Sequence, residues 1–246
     1  MIAERIDNLT QEHQKELQKS HPDSRFRSAA IFVIKHALKI WNGLDIDVTK
    51  LPQTGPAIFV CNHTSMYDGL VGMVADPYSP PTAFPVKKEL FRFSVVSSLL
   101  KSSGALAVDR DGRDVGSLRQ IINLVEKEGR TVGIAIEGTR SRDGRLQPFD
   151  PVAVELVVRM ARRGVPVYPL GIIGTDQALP KGAIFPGRHR IQLIAGDKID
   201  LSEFINQKGK ISQSDKELAA ARIRTGLISV LPPRYHPVDD CLMRKK

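Results

Sequence analysis

The chain has two cysteines, Cys61 and Cys241, far apart and outside any C-x-x-C spacing. Neither a disulfide framework nor a zinc module is expected from them, and a reducing compartment fits best. Aromatic residues make up only 6% of the sequence, with no RNP-like or zinc-finger pattern, so no nucleic-acid partner is expected. The first residues, MIAERIDNLTQEHQKELQKSHPD, lack the apolar core of a signal peptide, and a cytoplasmic chain is expected. The apolar run at 29–34 is far shorter than the roughly 20 residues that cross a bilayer. No internal repeat or low-complexity tract occurs, and no G-x-S-x-G elbow presents a serine nucleophile.

What is present is enough apolar material for a core. With 246 residues, 41% of them hydrophobic, the chain can bury one domain of α/β size or two small ones. A formal charge of +9 implies attraction to something anionic, and charge alone does not choose among nucleic acid, anionic lipid and phosphorylated small molecules.

Short runs rich in β-formers, at 57–61, 82–86, 105–109, 131–137, 165–173 and 190–196, alternate with helical patterns such as DVGSLRQIINLVEKEG and PVAVELVVRMARRG. That alternation predicts an α/β fold, a mixed, largely parallel sheet flanked by helices. In the helix after Asp114, Leu118, Ile121, Ile122 and Val125 fall at i, i+3, i+4 and i+7, and Gly129 stands where a C-cap belongs. We expect three segments: an N-terminal helical segment at 1–44, a main domain at 45–231 and a C-terminal tail at 232–246. Within the first, residues 28–44 form an amphipathic helix with Lys35, Lys39 and Asn42 on one stripe and Ile31, Phe32, Ile34, Leu38 and Trp41 around it. Such a helix can lie in a lipid interface or pack on the core.

The titratable residues that stand out lie in VCNHTSMYDGL, at 60–70. His63 and Asp68 follow an apolar strand, five residues apart. A turn between them can bring the carboxylate back to one imidazole nitrogen, leaving the other as an oriented proton acceptor. The rival readings are a satisfied structural histidine and a Cys61 thiol paired with His63. His13, His21, His36, His189 and His236 show no ligand spacing with His63, so no metal is expected.

A second constellation is IEGTRSRDGRLQPF, at 136–149. There Gly138 can admit a ligand to the backbone, Thr139 offers a hydroxyl and Arg140 a fork suited to phosphate. The alternative is a turn in which Glu137 pairs with Arg140. A third strand, GALAVDRDG, ends in Arg110. Ligands of α/β sheets bind where strands end, so His63, Arg110 and Glu137 could share one pocket.

Taken together, N-H-x-x-x-x-D at 62–68, G-x-x-x-V-x-R at 104–110, E-G-T-R-S at 137–141 and V-P-V-x-P at 165–169 resemble the four successive blocks of the glycerolipid acyltransferases. The chain is most similar to the 1-acylglycerol-3-phosphate acyltransferases, over about residues 55–200. The resemblance implies a glycerolphosphate acyltransferase-like fold and His63 and Asp68 as catalytic dyad. It also implies substrate binding by Lys87, Arg110, Glu137, Gly138, Thr139 and Arg140. The reaction it implies is acyl transfer to lysophosphatidate from acyl-CoA or acyl carrier protein, with no cofactor, at the cytoplasmic face of a membrane to which the protein attaches peripherally. Glycerol 3-phosphate, another lysophospholipid or a non-glycerolipid is the alternative acceptor. Ile136 departs from the proline usual before the glutamate, and the helix at 28–44 replaces the stronger N-terminal anchor of many relatives.

Overall fold

The computed structural model describes residues 24–108 and 115–244. In chain order the elements are α1 (Ser24–Asn42), β1 (Asp45–Asp47), β2 (Ile58–Cys61), α2 (Tyr67–Ala75), β3 (Phe84–Lys87), α3 (Ser94–Ser102), β4 (Ala105–Val108), α4 (Val115–Glu126), β5 (Val132–Ala135), α5 (Pro151–Ala161), β6 (Val167–Ile173), α6 (Thr175–Ala178), β7 (Gln192–Ala195) and α7 (Gln213–Val230). They fall into two compact units, each assembled from separate stretches of chain. Cuts at 44 and 231, as expected from sequence, do not coincide with these units.

One unit comprises residues up to 33, 52–57 and 76–133. Its β3 and β4 pair in parallel, Phe84 opposite Ala105, as a two-stranded sheet of their own. This corrects the expectation that the strand ending before Arg110 would stand in the same sheet as the strand ending before His63. The pairing groups of β3 and β4 serve each other, and Ala83 alone bridges to Val132. The helix after Asp114 forms as expected. Ile121, Leu124 and Val125 are buried, and Gly129 at φ +60 lets the Arg130 N–H close on the Leu124 carbonyl at 3.0 Å.

The other unit comprises residues 34–51, 58–75 and 134–246. The principal sheet runs β1-β7-β6-β2-β5. β1 pairs with β7, and β2 with β6, in parallel, while β6 and β7 are antiparallel. Ile58, Phe59 and Val60 of β2 are all buried, as a central strand covered on both faces requires. α7 packs on β6 and β2 and α5 packs on α7, while α2 contacts β7. Asp150 caps α5, accepting the Val152 and Ala153 N–H groups, and a Ser212/Asp215 capping box starts α7.

α1 spans Ser24–Asn42 where a helix over 28–44 is expected from sequence, and its apolar residues do not share one fate. Leu38 is buried, whereas Phe32, Val33, Ile40 and Trp41 are exposed, as are Lys35 and Lys39. The expected interfacial face is therefore corrected at Leu38, which belongs to the core. Among the described residues no helix is long and apolar enough to cross a membrane. The segment expected as a C-terminal tail is bonded into the fold: Leu146 N–H donates to Tyr235 O (2.8 Å), Phe149 N–H to Leu242 O (2.9 Å) and Arg244 N–H to Phe149 O (3.0 Å).

The turn from β6 into α6 depends on Gly174. Its φ is +84, and a Cβ there would stand 2.0 Å from the Arg190 carbonyl oxygen. Left-handed strain and the backbone clash add, so Gly174→Ala is expected to cost at least about 3 kcal/mol and lower the midpoint of thermal unfolding by roughly 6–12 °C. Circular dichroism melting checks this; an unchanged midpoint contradicts the geometry.

Candidate active site

β2 delivers its last residue, Cys61, to a five-residue loop that re-enters order as α2. Asn62 anchors the loop. Its side-chain amide donates to Ile172 O and accepts from Ile172 N–H, both at 2.8 Å, continuing the ladder toward β6 with a side chain in place of backbone. His63 and Asp68 come together as expected, with Nδ1 and Oδ2 2.7 Å apart. Three further donors converge on the same carboxylate: Thr64 N–H at 2.8 Å and Ser65 N–H at 2.9 Å on Oδ2, and the Thr175 hydroxyl at 2.5 Å on Oδ1.

The donor count decides the tautomer. A carboxylate surrounded by N–H and O–H donors is an acceptor throughout, so His63 Nδ1 carries a hydrogen and Nε2 carries the lone pair. Asp68 lies in the first turn of α2, where the helix dipole further favours its negative charge. The Asp68 side chain is 5% exposed and the His63 side chain 25%. The orienting group is hidden and the basic nitrogen's ring reaches the surface, which suits proton abstraction from a bound hydroxyl.

Glu137, expected as a substrate ligand, makes two hydrogen bonds within the protein. It is fully buried, and its two oxygens accept the His63 N–H (2.7 Å) and the Gln147 N–H (2.9 Å). Burial pushes its pKa up to about 8 against the pull of those two bonds. With both oxygens committed, the carboxyl joins the dyad loop to the 137–147 loop. The turn in which Glu137 pairs with Arg140 does not form either; Ser141 N–H instead donates to His63 O at 2.7 Å. Gly138, at φ +64, is required for packing: a Cβ there would meet Asp150 Oδ2 at 2.9 Å and Arg244 Nη2 at 3.0 Å. Arg244 spans this corner, donating to Glu137 O (2.8 Å) and Asp150 Oδ2 (2.7 Å). Thr139 and Arg140 are half-buried, and no described group hydrogen-bonds or ion-pairs with the Arg140 guanidinium.

The thiol hydrogen-bonds to backbone. Cys61 Sγ donates to Ile134 O, 3.6 Å away, and burial, aided by the Asp68 and Glu137 charges, pushes its pKa far above the usual thiol range. Lys87 closes β3 and is exposed. Arg110 lies outside the described residues. No group of three or more histidine, cysteine, aspartate or glutamate side chains among the described residues could hold a metal.

Thr175 was missed by sequence reasoning, since a threonine 107 residues from Asp68 carries no local signal. Its hydroxyl also lies 3.0 Å from Thr64 Oγ1, so it ties both sides of the dyad loop. The support behind it is visible only in three dimensions: Gly174 N–H donates to Tyr235 Oη (2.6 Å), which donates to Asp176 Oδ1 (2.6 Å). Asn62 belongs to the N-H-x-x-x-x-D motif, but its anchoring role rests on Ile172, 110 residues away; its position as the polar residue after the last residue of β2 is the local signal.

The acyltransferase family profile matches residues 45–173, just over half the chain and including the whole dyad loop and the 137–150 loop. The chain belongs to the acyltransferase family. Similar proteins include the 1-acyl-sn-glycerol-3-phosphate acyltransferase of Escherichia coli (strain K12), 26% identical over 180 residues that cover 67% of this chain and 71% of that one. The chloroplastic 1-acyl-sn-glycerol-3-phosphate acyltransferase BAT2 of Brassica napus is 34% identical over 131 residues, 52% of this chain and 36% of the relative. Among solved structures, the 1-acyl-sn-glycerophosphate (LPA) acyltransferase PlsC from Thermotoga maritima superposes with a TM-score of 0.65 at 25% identity, covering 87% of this chain and 83% of that one. This acyltransferase thus has the α/β architecture expected from its sequence.

The two bonds of Glu137 give a prediction for stability. Glu137→Gln keeps an acceptor for the His63 N–H but turns an amide NH₂ toward the Gln147 N–H, leaving two buried donors face to face. A loss of about 1–3 kcal/mol is expected, read as an earlier midpoint in urea unfolding. A variant as stable as the wild type would show that these two bonds do not hold the loops together.

Proposed function

We propose that this acyltransferase moves a fatty acyl group from an acyl thioester to the free hydroxyl of 1-acylglycerol 3-phosphate, giving phosphatidate. The observation that carries this reading is the His63 ring, fixed through Nδ1 by Asp68 at 2.7 Å with Nε2 left as base, in a chain whose relatives bear that activity in their names. His63 Nε2 takes the hydroxyl proton as the oxygen attacks the thioester carbonyl. The tetrahedral adduct collapses by breaking the carbon–sulfur bond, and the departing thiolate receives the proton from the imidazolium. No acyl-enzyme forms and no cofactor is needed, because the thioester is already activated. The donor is acyl-CoA or acyl carrier protein.

Asp68 holds the tautomer and offsets the charge that develops on the ring. Arg140, half-buried and without a protein partner among the described residues, is the candidate fork for the acceptor's phosphate, beside the Thr139 hydroxyl. Lys87 and Arg110 are assigned to the phosphate side by resemblance. Glu137 and Gly138 serve this site by shaping the loop that presents Thr139 and Arg140. The acceptor and product are lipids and the net charge is +9, so the enzyme works at the cytoplasmic face of an anionic membrane, peripherally attached.

His63→Ala is expected to lower turnover about 10²- to 10⁴-fold with an unchanged fold, whereas Cys61→Ser keeps most activity across neutral and mildly alkaline pH. A dead Cys61→Ser with native circular dichroism would instead favour the thiol.

Arg140→Ala removes a charge-assisted contact worth about 1.5–3 kcal/mol, so the KM for acceptor rises about ten- to a hundredfold while that for acyl-CoA holds. Steady-state kinetics with lysophosphatidate, glycerol 3-phosphate and lysophosphatidylcholine side by side test both the contact and the acceptor. Preference for either of the last two would replace lysophosphatidate.

A further inference from the structure

The segment that leaves α6 carries the most exposed large apolar side chains among the described residues. Ile184 and Phe185 stand adjacent, each 84% exposed, at the tip of a loop that returns on itself where Gly187 N–H donates to Ala178 O at 2.7 Å. Exposing two large neighbouring apolar side chains is unfavourable in water unless something else covers them. The loop is not slack. Pro186 O accepts from Trp41 Nε1 at 3.3 Å, and Gly187 O and His189 O both accept from the buried Asn42 amide at 3.0 Å. The Arg188 guanidinium lies 5.8 Å from the centre of the Trp41 ring. At its other root, Leu179 O accepts from Ser65 Oγ at 2.8 Å, within the dyad loop itself.

The flanking charge identifies the cover. Residues 179–190, LPKGAIFPGRHR, contain Lys181, Arg188 and Arg190 and no acidic residue; all three cations are exposed, and among the described residues only Arg190 of the three has a carboxylate partner, Asp45, at 3.2 Å. An apolar tip between cations, braced by a half-exposed tryptophan, matches the layering of an anionic bilayer: hydrocarbon under the tip, an amphipathic ring at the boundary and phosphates opposite the basic side chains. A protein partner would have to supply both a pocket for two apolar side chains and a surrounding acidic rim.

We propose that the loop at 179–190 is a membrane-inserting wedge, with Ile184 and Phe185 entering the acyl layer of an anionic bilayer and Lys181 and Arg188 contacting its headgroup phosphates. This rests on the peripheral-membrane reading above and adds which surface does the docking. Because the loop's backbone is already braced by bonds to α1 and to the dyad loop, little ordering is left to be done on binding, and the wedge seats the bilayer against an element joined to the catalytic loop.

Vesicles of phosphatidylglycerol and phosphatidylethanolamine, with phosphatidylcholine vesicles as neutral control, test the proposal by sedimentation of the full chain. The wild type is expected to bind the anionic vesicles and to be released by salt. Emission from Trp41, the only tryptophan, is expected to shift to the blue on binding. Ile184→Ser/Phe185→Ser, which alters no charge, should bind about a hundredfold more weakly, and Lys181→Gln/Arg188→Gln about tenfold more weakly on anionic vesicles alone. Both variants should keep wild-type activity on a water-soluble short-chain acceptor. Wild-type binding matched by Ile184→Ser/Phe185→Ser would overturn the wedge and leave the membrane reading standing. A wild type that binds neither vesicle while acylating the soluble acceptor would overturn the wedge and the membrane reading together.

Discussion

The carboxylate of Asp68 is the point on which the site depends. Four donors reach it from three directions: the imidazole of His63, two backbone N–H groups of the loop between them, and the Thr175 hydroxyl beyond β6. A buried carboxylate with fewer partners would be costly; with four, it becomes the fixed negative centre around which the loop's conformation is determined. Removing any donor disturbs the others, because the two N–H groups belong to the backbone that also sets where His63 stands. The dyad is therefore less a pair than the visible end of a bonded loop.

Glu137 repeats the arrangement one layer away. It too is a buried carboxyl whose oxygens are taken by backbone N–H groups, one of them that of His63. Asp68 fixes the ring from its side chain and Glu137 fixes the same residue from its main chain. Two acids to which motif reading gives different roles, Asp68 in the dyad and Glu137 in substrate binding, thus both hold a single histidine. Among the described residues, the side chains of Thr139, Arg140 and Arg142 on the second loop make no hydrogen bond or ion pair.

The principal strands and helices were legible because each announces itself within a dozen residues: the apolar run of β2, the i, i+3, i+4, i+7 pattern of α4, Gly129 at its end. The His63–Asp68 contact was legible for the same reason, five residues being the reach of one turn. Three things were not. The pairing of β3 with β4 alone is a choice of partner, and strand composition does not specify partners. The burial of Leu38 beside exposed Trp41 follows from which side of α1 meets the chain, and a broad apolar face around a narrow polar stripe conceals that. The role of Glu137 depends on which donors lie opposite it, 74 and 10 residues away, and a motif records the acid without its neighbours.

The bonds that build the site join residues far apart in sequence: Asn62 to Ile172, 110 apart, Asp68 to Thr175, 107 apart, and His63 to Glu137, 74 apart. Contacts of such separation carry a loop-closure cost before they return any stabilisation. A chain that has collapsed and formed its helices but not yet joined β2 to β6 has a histidine without its orienting carboxylate cage. Competence for chemistry therefore arrives with the final topology, and partly folded molecules have no assembled base with which to consume activated acyl thioesters.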